Sequence, residues 1–148
     1  MAWPDGGQWL SLGMDSTIEK TLIDAAADAR LKAYAPYSSF LVGAALLLPD
    51  GKIIKGCNVE NASYGLAICA ERNAICAAVA LGYQKFQGIA VAATPLASPC
   101  GACRQFIVEF GKDIDVICFD PNKLDQVRRW TSGELIPESF EFGELGAS

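Results

Sequence analysis

Apolar positions recur at helical spacing early in the chain, at Ile18, Leu22, Ala25 and Ala29, with Lys32 in step. That period predicts a helix capped by Asp15 or Ser16 and running to about residue 34, after which Pro36 forces an extended connection. The pattern then changes. Residues 41–48 are continuously apolar, which suits a strand buried on both faces. Pro49-Asp50-Gly51 reads as a turn and residues 52–57 as the returning strand of a hairpin. Residues 58–67 are polar and lack a period, so a loop is predicted. An Ala-rich helix is predicted over 69–81, closed by Gly82, and another over 101–110, ended by Gly111. Residues 89–94 and 115–119 read as strands, 95–99 as a loop. The tail from residue 121 predicts short irregular structure, with one more helix around 124–130.

Helix, hairpin, helix, strand, helix, strand is an order that makes an α/β protein: a mixed sheet with helices packed on its faces. Composition narrows this to one domain. At 148 residues and 51% hydrophobic, the chain can bury a core without disulfide staples. Residues 1–14 have no periodicity and are expected to be a flexible extension preceding a domain over 15–148. That start carries neither a basic stretch nor an apolar core of the kind a secretion signal uses. No segment reaches the roughly 18–20 apolar residues of a membrane span. The expectation is a cytoplasmic protein with no membrane partner. Thiols there stay reduced, so six cysteines suggest metal binding or catalysis before disulfides.

Charge and one missing residue type exclude further classes. The net charge of −5 and the lack of any basic cluster beyond Arg128-Arg129 argue against a nucleic acid polymer as partner. There is no histidine. Histidine nucleophile systems, histidine metal ligands and histidine general bases are all excluded. The chemistry falls to Cys, Asp, Glu, Lys or Tyr.

Cys100-Gly101-Ala102-Cys103 follows Pro99 and heads a predicted helix. By itself it is either a redox pair or half of a zinc site. A helix N-terminus favours the thiolate, the form that binds metal. Cys69-Ala70-Glu71 heads the other helix. Residues two apart on a helix project differently, so Glu71 can reach a metal-bound water without becoming a ligand. Cys69, Cys100 and Cys103 leave the fourth tetrahedral position of a zinc ion open, the mark of a catalytic rather than a structural site. Zinc with three thiolates carries net charge −1, which opposes ionising a bound water. Arg72 is therefore expected to hydrogen-bond a ligand sulfur and, with the two helix starts, offset that charge. Cys57, Cys76 and Cys118 are expected to be packing residues.

Cys-x-Glu followed by Pro-Cys-x-x-Cys resembles the signature of the zinc-dependent nucleoside and nucleobase deaminases. More closely, the chain is similar to the small homotetrameric cytidine deaminases. The likeness runs through Tyr37-Ser38-x-Phe40-x-Val42-Gly43-Ala44-Ala45, Asn58-Val59-Glu60-Asn61-Ala62, Cys69-Ala70-Glu71-Arg72, Pro99 to Gln105, and Leu135-Ile136-Pro137-Glu138-Ser139-Phe140. It implies a three-layer α/β/α fold on a central mixed five-stranded sheet and one Zn²⁺ per subunit. It also implies hydrolytic deamination of cytidine and 2′-deoxycytidine, as in pyrimidine salvage, with Glu71 moving the protons. Asn58 and Glu60 resemble the pair that binds the ribose 3′-hydroxyl, Phe40 the aromatic that packs on the base, and Ala70 a substrate contact. Ala62, Tyr64, Gly65, Leu66 and Phe140 of a neighbouring subunit would close the site. Blander roles stand beside these: Phe40 as core, Glu60 as a turn cap, Tyr64 as interface packing. The competing functions are deamination of another cytosine-containing substrate such as blasticidin S, and a non-catalytic zinc-binding module.

Overall fold

The computed structural model describes residues 15–142. The extension expected over residues 1–14 and the last six residues of the expected domain lie outside that range. Asp15 does cap the first helix, α1 (Ser16–Arg30): its carboxylate accepts from the Thr17 and Ile18 backbone N–H groups. The helix ends at Arg30, four residues short of the expected limit, in turns that carry the chain to Pro36. β1 (Val42–Leu47) and β2 (Ile53–Cys57) form the hairpin. A single 3₁₀ turn, Tyr64–Leu66, sits in the loop before α2 (Ala70–Ala80). β3 (Gly88–Ala93), α3 (Gly101–Val108) and β4 (Asp115–Phe119) follow.

The tail departs from expectation. In place of a helix around 124–130 the chain makes turns, then β5 (Arg128–Thr131), then a one-turn helix α4 (Ser132–Leu135). Pairing decides this. β5 runs antiparallel to β4, with Asp115 opposite Thr131 and Val116 opposite Trp130, and that ladder overrides the weak local helical preference. α4 has a signature that was legible: in Thr131-Ser132-Gly133-Glu134, the Glu134 carboxylate accepts from Thr131 N–H and Thr131 Oγ1 accepts from Glu134 N–H.

The five strands lie in the order β2-β1-β3-β4-β5, mixed because only β3 and β4 run parallel. Alternate residues of each strand face opposite layers. Ala45, Leu47, Ala90, Ala92, Ile117 and Phe119 meet α1 through Leu22 and Ala26. Ala44, Leu46, Ile89, Val91, Val116 and Cys118 meet α2 and α3 through Ala74, Ile75 and Ile107. The result is an α/β/α sandwich, and it explains the unbroken apolar run of β1, which is buried on both sides.

Two glycines set how closely the helices approach. A Cβ on Gly43 would stand 2.2 Å from the Ala26 carbonyl oxygen of α1, and one on Gly56 2.5 Å from the Ala74 nitrogen of α2. On opposite faces of the hairpin, helix backbone rests directly on strand backbone. α2 is consequently seated with its first turn against the end of β2. No helix among the described residues is long and apolar enough to cross a membrane.

Candidate metal centre and active site

Cys69 is the N-cap of α2 and Cys100 the N-cap of α3, both in extended backbone conformation. The Cys69 sulfur makes no capping bond, whereas the Cys100 sulfur accepts from the Cys103 N–H at 3.5 Å. Both helix starts point at one place. The sulfurs of Cys69, Cys100 and Cys103 all lie within 4.8 Å of one another, and those of Cys69 and Cys100 are 3.8 Å apart. A disulfide needs about 2.05 Å, and all three cysteines are free. Two sulfurs at about 2.3 Å from one tetrahedral zinc would stand about 3.8 Å apart, so the donor set fits that ion.

Burial differs across the set. Cys103 is buried, Cys69 half-buried and Cys100 exposed. Hydrogen bonding from Cys103, then from Arg72, brings the Cys69 thiol down to about 5 against the opposing effect of burial. Cys103 is pushed far up by its hydrogen bond to Cys69, by burial and by the Glu71 charge. Two neighbouring thiols, Cys69 and Cys103, that resist losing both protons form a pair that a cation would relieve.

Glu71 is the carboxyl of the centre, only 4% exposed. Its neighbours on α2 explain this: Ala70, Ala74, Ile75 and Ala78 form the face turned to the sheet, and position 71 belongs to that face. Burial raises its affinity for a proton, and the Cys69 charge adds to the effect. Arg72, one residue on, turns back and donates from Nη2 to the Cys69 sulfur at 3.4 Å. Among the described residues its buried Nε has no hydrogen-bond partner. Asn73 donates from Nδ2 to the Cys57 carbonyl at 2.8 Å, strapping this first turn to the end of β2. Nothing in the sequence had marked Asn73.

Cys76 requires a correction: expected as core, it is exposed. It lies on the side of α2 opposite Ala70, Ala74 and Ala78, where an Ala-rich sequence gives little sign of which face is inward. Cys118 is fully buried in β4, which pushes its thiol up to about 12. Cys57 is half-buried against the Lys32 carbonyl.

The other candidate residues gather beyond the end of β1. Asn58 is a two-ended strut: Oδ1 accepts from Val42 N–H at 2.8 Å and Nδ2 donates to the Phe40 carbonyl at 2.8 Å. Each end of the amide keeps one further hydrogen-bonding position. Glu60 does cap a turn. Its Oε1 accepts from the N–H groups of Tyr37 and Ser38, and Oε2 from the Ser38 hydroxyl, which together hold its carboxyl below the usual range. Ser38 is a second residue that sequence reasoning missed. The turn carries Ser39 in the left-handed region, at φ 59°, a conformation uncommon without glycine and found at functional loops. It presents Phe40, 37% exposed. A cleft of about 340 Å³ is lined by Tyr37, Ser38, Glu60, Asn61, Tyr64 and Ala67.

Ala70 is buried beside Glu71. Ala62, Tyr64, Gly65 and Leu66 stand exposed on or beside the 3₁₀ turn, with Tyr64 76% and Leu66 64% accessible. Phe140 is 70% accessible in the tail. The single chain thus brings Cys69, Glu71, Arg72, Cys100 and Cys103 together and leaves this second group facing solvent.

Comparison with known proteins agrees with the geometry. The model of the cytidine and deoxycytidylate deaminase zinc-binding region matches residues 16–119. A probable cytidine deaminase of Dictyostelium discoideum is 55% identical over 126 residues, 83% of this chain and 84% of that protein. The cytidine deaminase of Sporosarcina psychrophila is 44% identical, over 86% of this chain and 94% of its own. Among solved structures, cytidine deaminase from Burkholderia pseudomallei superposes with a TM-score of 0.77 at 49% identity, over 82% of this chain and 98% of that one.

Proposed function

This chain belongs to the cytidine and deoxycytidylate deaminase family, and on that premise we propose that it converts cytidine and 2′-deoxycytidine to the uridines by hydrolysis, releasing ammonia. The observation that carries the proposal is the convergence of three sulfurs beside one buried carboxyl, Glu71. Cys69, Cys100 and Cys103 would hold one zinc ion, which supplies a Lewis acid able to make water nucleophilic at neutral pH.

The protein's own groups do the rest. Arg72 draws off thiolate charge through its bond to the Cys69 sulfur. Glu71 takes a proton from the attacking water and delivers it to the pyrimidine N3. It then takes the remaining proton of the hydroxyl newly bonded to C4 and hands it to the departing amine, so that the C4–N bond breaks as the C4 carbonyl forms and ammonia leaves. A carboxyl whose proton affinity is raised by burial is suited to both directions of transfer. Phe40 packs against the base, and Ala70 lines the pocket beside Glu71. Asn58 and Glu60 receive the ribose 3′-hydroxyl with the hydrogen-bonding capacity that their structural bonds leave free. A carboxylate there also disfavours a phosphate, so free nucleosides are preferred over nucleotides and polymers.

Tyr64, Leu66 and Phe140 are large apolar side chains left exposed in the single chain. These three, with Ala62 and Gly65, resemble the residues by which a neighbouring subunit closes the site in the small homotetrameric cytidine deaminases, and the same role in a homotetramer is proposed for them. The setting proposed is cytoplasmic pyrimidine salvage, in keeping with free thiols throughout.

The test is direct. Purified protein is assayed for zinc and for loss of the amino group from cytidine, deoxycytidine, CMP and blasticidin S. Turnover of the two nucleosides is expected. Zinc-loaded protein that turns over neither would overturn the proposal, and blasticidin S alone as substrate would replace it.

A further inference from the structure

Cys100 poses a positioning problem. It is exposed, so packing does not hold it as it holds Cys103, and among the described residues the polar contacts of its sulfur are the Cys69 sulfur and the Cys103 N–H. Resting on the zinc reading above, we propose that Arg104 is a positioning residue that fixes Cys100 through the preceding peptide and joins that ligand to the segment carrying Phe140.

The guanidinium of Arg104 spans two parts of the chain. Its Nε donates to the Pro99 carbonyl at 2.8 Å and its Nη2 to Ser98 Oγ at 3.0 Å. Its Nη1 donates to the Leu135 carbonyl at 2.9 Å, at the end of α4. The Pro99 carbonyl belongs to the peptide plane that ends at the Cys100 nitrogen. Pinning that oxygen fixes the plane about which Cys100 turns, and with it the direction of the Cys100 sulfur. The same rigid fork satisfies a carbonyl that the end of a helix leaves without an intrahelical partner.

The next residue carries the connection further. Gln105 donates from Nε2 to the Phe140 carbonyl at 3.2 Å. Two successive residues of α3 thus hold the two ends of segment 135–140. Arg104 touches both that segment and the ligand loop; Gln105 touches the segment alone. The ligand loop and the tail are therefore one mechanical unit, with Arg104 as the joint.

A lysine at this position keeps the charge and the aliphatic stem but can serve only part of the fork. The experiment compares Arg104→Lys and Gln105→Ala with the parent in the zinc-loaded full chain. Two rates are followed: zinc release to a chromophoric chelator, and amide hydrogen exchange of residues 135–142. For Arg104→Lys, both should rise, release by about ten-fold, the lower end of what outer-shell partners of metal ligands contribute. Gln105→Ala should raise exchange in the segment and leave release at the parent rate. Release or exchange unchanged in Arg104→Lys overturns the proposal, as does equal acceleration of release by Gln105→Ala. Should Arg104→Lys not fold, Ser98→Ala removes one acceptor and should speed release about three-fold; no change there overturns it equally. Both readouts can fail in a parent that deaminates cytidine, which separates this proposal from the functional one.

Discussion

The two helix starts that meet at the candidate centre are held by opposite means. α2 is fixed by packing. Its first turn contains Ala70 and Glu71, both buried, lies backbone to backbone on β2 at Gly56, and is strapped by Asn73 to the Cys57 carbonyl. α3 has its buried anchors in Cys103 and Ile107, but its first turn is open: Cys100 and Gly101 are exposed, and a Cβ on Gly101 would meet nothing within 4 Å. Hydrogen bonds from Arg104 do there what close packing does at α2. Packing locates a group to a fraction of an ångström and excludes water, which a proton carrier requires. A ligand at the solvent edge can be placed by polar bonds that leave the approach clear.

The largest test of that contrast is Glu71→Gln. Zinc content should stay at the parent level, because the ligands are elsewhere, while kcat falls by about 10³–10⁴. Metal analysis and steady-state kinetics check both parts, and a fully active variant would end the assignment. Next comes the packing itself. Gly56→Ala should cost about 3 kcal/mol in urea unfolding, since the new methyl meets helix backbone that cannot turn aside. Gly101→Ala, in open space, should stay within about 0.5 kcal/mol. Equal effects at the two glycines would erase the distinction between the helix starts. Arg72→Ala should weaken zinc affinity or turnover about ten-fold, measured by metal competition and kcat/KM.

A modest effect belongs to Asp115, the first residue of β4. Burial first, then the charge of Glu19, pushes its carboxyl up to about 6 from an ordinary 3.8, against a smaller pull from Arg129. The folded state holds this proton more tightly than the unfolded one. That contribution is complete below pH 3.8 and is lost as pH rises through about 6. Asp115→Asn should therefore stabilise the protein by about 1 kcal/mol at pH 7.5, after allowance for solvent screening, and give no gain at pH 4. Denaturant curves at the two pH values check the sign.

Much of this was legible in the sequence because the signals were local. The continuous apolar run of β1 announced a strand covered on both faces. The two cysteine-headed helices were marked by Pro99, by Gly82 and Gly111, and by the spacing of Cys69 to Glu71 and Cys100 to Cys103. What was not legible depends on distant pairing. β5 exists because β4 offers it an edge, and residues 128–131 have no strong period of their own. Cys76 was misjudged because an alanine-rich helix hides its inward face. The bonds that tie Asn58 to Val42 and Phe40, and Glu60 to Ser38, join residues 16 to 22 positions apart. Spacing along the chain could not reveal them.

The all-sulfur donor set has a consequence for the cell that houses this protein. Soft thiolates prefer soft cations, and copper(I) shares that preference. With no histidine among the donors, nothing in the ligand set favours zinc over such ions, and Cys100 is the exposed residue of the three. An activity that depends on the zinc is then open to competition from copper(I), a vulnerability set by ligand chemistry and independent of how well the rest of the fold withstands stress.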